Sequence, residues 1–242
     1  MAGVACFHFT SRAEEQEVAR LGLSNGAARV VIPPGLDTQA WDSAQHQSDL
    51  QNRLRDQADG RPIILFLSRL HPKKGVVDLL LPAFAQLRAD AVLAIAGGPD
   101  EHEPAHASEV GREVARRGLA GRVALLGPVA PQERWALYDA ADLFVLPSHA
   151  ENFGIVVTEA MARGLPVVIS DAVQASEHVR AAKAGCIVPL DVMALARALD
   201  ELLADEGQRR RMGDRGRAYV RTNLNWERVA VAIAAMYRTC RS

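Results

Sequence analysis

The chain has 242 residues, enough for one large domain or one and a half ordinary ones. Apolar residues make up 49% and charged residues 24%, the balance of a globular chain with a sizeable core and not of a disordered one. A formal charge of −1 and a pI near 6.7 exclude a global field that would draw the chain to nucleic acid or an anionic membrane, so an anion must be bound locally.

Three cysteines, Cys6, Cys186 and Cys240, have neither the pairing of a disulfide framework nor metal-ligand spacing, and fit a reducing cytoplasm. The first residues lack a basic segment followed by a long apolar run, and no stretch of 18 apolar residues occurs. The expectation is a cytoplasmic chain with no export signal and no membrane span.

In chain order, Ala5 to Thr10 reads as a strand, Arg12 to Leu21 as a helix and Val30 to Ile32 as a strand ending at Pro33-Pro34-Gly35. One such unit cannot bury its own faces, so residues 1–37 read as the tail of another domain, with apolar surface exposed near residues 5–35. Residues 38–61, polar and rich in Gln and Asp, read as a partly helical connector. From there to residue 222, short apolar runs alternate with helical periodicity. The expected strands are Ile63–Leu67, Val92–Ala96, Val123–Leu126, Leu143–Leu146, Val167–Ser170 and Cys186–Val188. Helices are expected over Val76–Arg88, Ala105–Arg117, Pro131–Ala140, Gly154–Arg163, Ala175–Ala182 and Asp191–Leu203, with a last amphipathic helix over Trp226–Tyr237 packing back on the residues before 40. The fold class is α/β, a Rossmann-like doubly wound parallel sheet of about six strands.

Ligands of such a sheet sit beyond the carboxyl ends of its strands, which directs attention to the loops after Leu67, Ala96, Leu126 and Leu146. After Leu146 comes HAENFGIVVTEAMARG, a tight loop leading into a helix. The amides of Gly154, Ile155 and Val156 would stand free at that helix start, where an anion gains roughly 0.3–1 kcal/mol per interaction. Glu151 in the loop and Glu159 in the helix would face one crevice from different depths, each able to hold a vicinal diol. The other reading is a solvent-facing Glu159 and a helix-capping Glu151.

After Leu67, LFLSRLHPKKG sets Arg69 and Lys74 around an extended loop held by Pro72, with Lys73 nearest to a plain surface charge. Gly97-Gly98-Pro99 lacks a Gly-x-Gly-x-x-Gly spacing and reads as a turn that clears room for ligand, Gly98 included. Val129, after Gly127 and Pro128, could pair a base edge with its main chain, or belong to an ordinary turn. His71 and His149 are minor candidates. The arginines between 209 and 221 are interspersed with acids and read as a solvated face, without aromatic platforms for nucleic acid.

Taken together, these segments resemble family-4 retaining glycosyltransferases, also called glycosyl transferases group 1, over about residues 60–240. The acidic pair in ENFGIVVTEAMARGLPVV and the Ser68 to Gly75 stretch are the marks. The resemblance implies the C-terminal, donor-binding domain of a two-Rossmann GT-B fold, with most of the N-terminal domain missing. Residues 223–242 would be the helix crossing back to it. It implies a nucleoside-diphosphate sugar donor and a sugar or lipid-linked acceptor, which leaves peripheral membrane association open. Arg69 and Lys74 would hold the diphosphate, Glu159 the ribose diol, and Glu151 the donor sugar together with the Asn152, Phe153 and Gly154 backbone. Asn152 stands where many members have Gly, which leaves donor identity open.

The resemblance also implies front-face transfer with retention, no metal, no cofactor and no protein nucleophile. The acceptor side would belong to the missing domain, so the chain alone is expected to bind donor without transferring it. The alternatives are a GT-B nucleotide-sugar epimerase and a non-catalytic nucleotide-sugar-binding fragment. A nicotinamide oxidoreductase is disfavoured because the first strand-to-helix turn is cationic and lacks the glycine fingerprint.

Overall fold

The computed structural model describes residues 4–23, 26–37 and 49–239. Residues 38–48 of the polar connector and the last three residues lie outside them. Two sheets are present among the described residues. β1 (Cys6–Phe9) and β2 (Ala28–Val31) form a parallel pair joined through α1 (Arg12–Arg20). The main sheet contains β3 (Ile63–Leu67), β4 (Val92–Ala96), β5 (Val123–Gly127), β6 (Leu143–Leu146), β7 (Val167–Ser170) and β8 (Gly185–Val188). Its order is β5-β4-β3-β6-β7-β8, all pairs parallel.

This is the doubly wound α/β fold the apolar runs predict, since strands covered on both faces need apolar residues on both. The direction of winding reverses between β3 and β6, which pair only through Ile64–Leu143 and Leu65–Phe144. The two loops leaving these strands therefore flank a switch-point crevice.

The helices are α2 (Asp49–Ala58), α3 (Leu81–Ala85), α4 (Ala105–Arg116), α5 (Arg134–Ala140), α6 (Ile155–Ala162), α7 (Ser176–Ala182), α8 (Val192–Ala204), α9 (Glu206–Asn223) and α10 (Trp226–Thr239). Two expectations are corrected. Val76–Arg88 is not one α-helix: Val76–Leu80 is a π turn, and α3 follows it. The Leu80 amide reaches back five residues to the Gly75 carbonyl at 2.8 Å, because Gly75 turns left-handed (φ 70°) against the next loop. A side chain there would put its Cβ 2.3 Å from the Pro147 carbonyl oxygen, so the close approach of the two loops at position 75 requires glycine.

The arginines of α9 are not simply a solvated face. Arg209 is buried, and its Nη1 donates to the Leu202 and Leu203 carbonyls at 2.7 and 2.8 Å, closing the carboxyl end of α8. Arg215 donates to the Lys183 carbonyl after α7, and Arg217 to the Arg163 carbonyl after α6. Guanidinium groups thus satisfy helix carbonyls that would otherwise lack partners.

Around β1–β2, Leu21 and Leu23 are exposed and α1 buries no residue, as expected of a unit that cannot cover itself. α10 lies back on this part of the chain through the Leu36–Asn225 bridge, and the Leu36 amide donates to the Leu224 carbonyl at 2.7 Å.

Replacing Arg209 with Ala leaves two helix-end carbonyls unpaired in the interior. It should lower unfolding free energy by about 1–3 kcal/mol in chemical denaturation, whereas Arg210→Ala on the exposed face should cost no more than about 0.5 kcal/mol.

Candidate functional site

At the switch point lies an open cavity of about 430 Å3. One wall is the loop after β3, where Ser68, Arg69 and Lys74 line it. The opposite wall is the loop after β6 and the start of α6, contributing Glu151, Gly154, Ile155 and Val156. Gly98, Pro128, Val129 and Arg134 close the remaining side.

Each wall is held by local chemistry. His71 accepts the Lys73 amide at Nδ1, 3.0 Å away, and so caps the short 3-10 turn Pro72–Lys74. That turn carries Lys74 inward, where it is buried and pairs with Glu151. The His149 amide donates to the Lys73 carbonyl at 2.7 Å and locks the two loops together. Arg69 remains largely exposed, with Nη1 2.7 Å from Asp100 Oδ2. The His102 amide and then Arg69 hold the Asp100 carboxyl below the usual range.

α6 follows Gly154, left-handed at φ 78°, and no described side chain caps it. The amides of Ile155 and Val156 have no intrahelical acceptor and sit at the cavity wall. The crevice therefore gathers three cationic side chains, Arg69, Lys74 and Arg134, and a bare helix start, an arrangement suited to an anion carrying hydroxyl groups next to a carboxylate.

Of the expected site residues, Glu151, Arg69, Lys74, Gly154, Ile155, Val129 and Gly98 meet in this cavity. Three do not line it. Glu159 is neither solvent-facing nor on the crevice surface: it is 2% exposed, one layer behind Arg134, whose Nη2 is 3.3 Å from its Oε1. Tyr138 donates its hydroxyl to Glu159 Oε2 at 3.0 Å. Burial pushes the Glu159 carboxyl up, against the opposing pull of Arg134 and Tyr138. Asn152 is exposed to solvent outside the crevice.

Phe153 is buried on the far side of the loop, edge-on to His178 at 5.6 Å between ring centres. The cause is backbone pairing. Glu151 bridges Val173, and the Ala175 amide donates to the Phe153 carbonyl at 3.0 Å, which turns the ring away.

Sequence reasoning missed Arg134, Tyr138 and Asp100. Arg134 and Tyr138 are four positions apart and share one face of α5, the signal that could have paired them with a buried acid. Asp100 directly follows Gly97-Gly98-Pro99, a segment read only as a turn.

Fold and site together define a doubly wound α/β protein with a crevice at the switch point of its sheet, lined by cationic side chains and a helix start. The chain belongs to the family Glycosyl transferases group 1, whose family model matches residues 50–219. It is 35% identical over 217 residues to D-inositol 3-phosphate glycosyltransferase of Nocardia farcinica, covering 86% of this chain and 46% of that one. It is 33% identical over 223 residues to GDP-mannose-dependent alpha-(1-6)-phosphatidylinositol monomannoside mannosyltransferase of Mycolicibacterium smegmatis, covering 87% and 56%. The chain thus spans about half the length of these relatives.

Among solved structures, sucrose-phosphate synthase from Thermosynechococcus elongatus superposes with TM-score 0.83 at 31% identity, over 96% of this chain and 57% of that one. Anabaena HepE in complex with UDP and glucose shares the fold, with TM-score 0.84 at 24% identity over 98% and 64%. Among the described residues no group of three or more His, Cys, Asp or Glu side chains is arranged to hold a metal ion. No described helix is long and apolar enough to cross a membrane.

The raised Glu159 carboxyl gives a signed pH effect. A carboxyl whose folded value lies above its ordinary 4.5 favours the unfolded chain once the unfolded group ionises. Stability of the unmodified chain relative to Glu159→Gln should therefore fall as pH rises from about 4.5 through the raised value, then level off. Denaturant titrations between pH 4 and 8 check this; a difference that does not change with pH contradicts the buried, ionising carboxyl.

Proposed function

We propose that the chain binds a nucleoside-diphosphate sugar in the switch-point crevice and supports transfer of its sugar to an acceptor with retention of configuration. The observation that carries the reading is the convergence of Arg69, Lys74 and the bare amides of Ile155 and Val156 on one cavity that also holds Glu151. A diphosphate has the charge that such a cradle lacks, and neither the cradle nor the reaction step needs a metal or cofactor in this reading.

In the proposed complex the pyrophosphate lies over the start of α6, with Lys74 shared between Glu151 and a phosphate oxygen. Arg69 closes from the mouth, leaving Asp100 or bridging to it. Glu151 accepts hydroxyl donors of the sugar. Val129 and Gly98 offer main chain and open space to the base and ribose, and the Arg134–Glu159 pair forms the hydroxyl-binding end behind them. As the glycosidic bond to the diphosphate breaks, negative charge grows on the leaving phosphate, and fixed cations and amides stabilise it without reorganising. Glu151 stays bound to Lys74, which disfavours a role as nucleophile.

The family match and the printed names of the relatives support a transferase. The names GDP-mannose-dependent mannosyltransferase and the HepE complex with UDP support a nucleoside-diphosphate donor, without fixing base or sugar here. Binding is the step this chain's described residues carry.

Isothermal titration with UDP, GDP, ADP and NAD tests the reading. One of the diphosphates should bind more tightly than NAD. Lys74→Ala should weaken it by about 10- to 100-fold, the equivalent of losing one charged hydrogen bond of about 1.5–3 kcal/mol. Arg69→Ala, at an exposed position, should fall at the low end of that range. Preference for NAD, or undiminished affinity in Lys74→Ala, would overturn it.

A further inference from the structure

Lys74 and Glu151 line the switch-point crevice, while Lys73 and His149 line a separate cavity of about 480 Å3. The wall between the two is the pair of bonded loops, joined by the His149 amide and the Lys73 carbonyl. Across the second cavity lie His106 and Glu109 from the first two turns of α4, and Pro72 and, from the π turn, Val77 and Asp78 also line it.

The polar groups here have a common bias. His106 is 5% exposed, and its Nδ1 lies 2.7 Å from Glu109 Oε2. A carboxylate can only accept, so Nδ1 carries the proton and Nε2 keeps its lone pair in the neutral ring. That Nε2 is buried and has no hydrogen-bond partner among the described residues. His149 Nε2 meets Asp78 Oδ2 at 2.6 Å in an exposed pair, which by the same logic leaves its Nδ1 an acceptor in the neutral ring. The carboxylates of Asp78 and Glu109 and the rings of His106 and His149 line the cavity together with Lys73, the one cation among the described lining residues.

This chemistry selects a ligand class. A phosphate would meet two carboxylates against one ammonium. A metal ion finds no ligand set among the described residues. A ring bearing several hydroxyl donors satisfies the lone pairs, and its C–H face fits Val77. A buried acceptor without a donor costs about 1–3 kcal/mol, which such a hydroxyl would remove.

We propose that this cavity is a subsite for a neutral polyhydroxylated ring, a sugar or cyclitol, and that in the transferase reading it holds a ring of the acceptor. Only the word acceptor rests on that reading; polyol binding stands on the cavity alone. The exposed Asp78–His149 pair, weak in water, opens to admit the hydroxyls.

The test is titration of the full chain with myo-inositol, with methyl mannoside and with inorganic phosphate, followed by nitrogen-15 histidine ring spectra, with UDP and GDP affinity measured in parallel. At least one polyol should shift the His106 Nε2 signal saturably, with a dissociation constant in the millimolar range, and phosphate should not. Asp78→Asn, at an exposed position, and His106→Phe should each weaken that binding about tenfold or more, about 1.4 kcal/mol, and leave nucleotide affinity unchanged. No saturable response to either polyol, a stronger response to phosphate, or full binding in both variants would overturn the proposal. Absent nucleotide binding with polyol binding intact would instead count against the transferase reading.

Discussion

A lysine ammonium carried out of water needs an opposite charge, and the site is arranged around that requirement. Lys74 has a side chain only 6% exposed, and Glu151, 19% exposed, is its partner. Removing either would strand a charge whose desolvation costs several kcal/mol, so the pair fixes the distance between two loops that share no strand ladder at that point. The His71 cap, Gly75 under Pro147 and the His149–Lys73 bond all serve the same junction. The sheet supplies the place: β3 and β6 are adjacent although far apart in sequence, and winding reverses between them.

The two acids have different work. Glu151 faces the crevice already paired, so its negative charge is balanced before any ligand arrives. Glu159 lies deeper, between Arg134 and Tyr138, with its carboxyl raised by burial. The Arg134 guanidinium stands between Glu159 and the cavity and also lies 4.7 Å over the Trp135 ring. Of this pair the crevice therefore presents the guanidinium, with the carboxylate behind it holding the guanidinium in place.

The sheet was legible because buried parallel strands must be apolar throughout: Ile63–Leu67, Val92–Ala96, Leu143–Leu146 and Val167–Ser170 fall on the expected residues. The loops were legible as loops, and their position at strand ends placed Arg69, Lys74 and Glu151 in one crevice. Which way a loop side chain turns was not legible. Asn152 and Phe153, expected to offer their backbone to the crevice, are not among its lining residues, and residues 151–153 pair with 173–175, a contact that local sequence does not encode. The depth of Glu159 depends on partners 21 and 25 residues earlier, at Tyr138 and Arg134, and the π turn depends on Gly75 meeting Pro147 across the switch point. The arginines of α9 misled for the same reason: composition shows their charge, and only the fold shows which carbonyls they reach.

The most direct measurement is a crystal structure of this chain with UDP or GDP bound. The account predicts the diphosphate over the first turn of α6, its oxygens within hydrogen-bonding distance of the Ile155 and Val156 amides and of Lys74 Nζ. A nucleotide seated elsewhere, or one in the crevice with Lys74 still turned only to Glu151 and the α6 amides facing water, would contradict it.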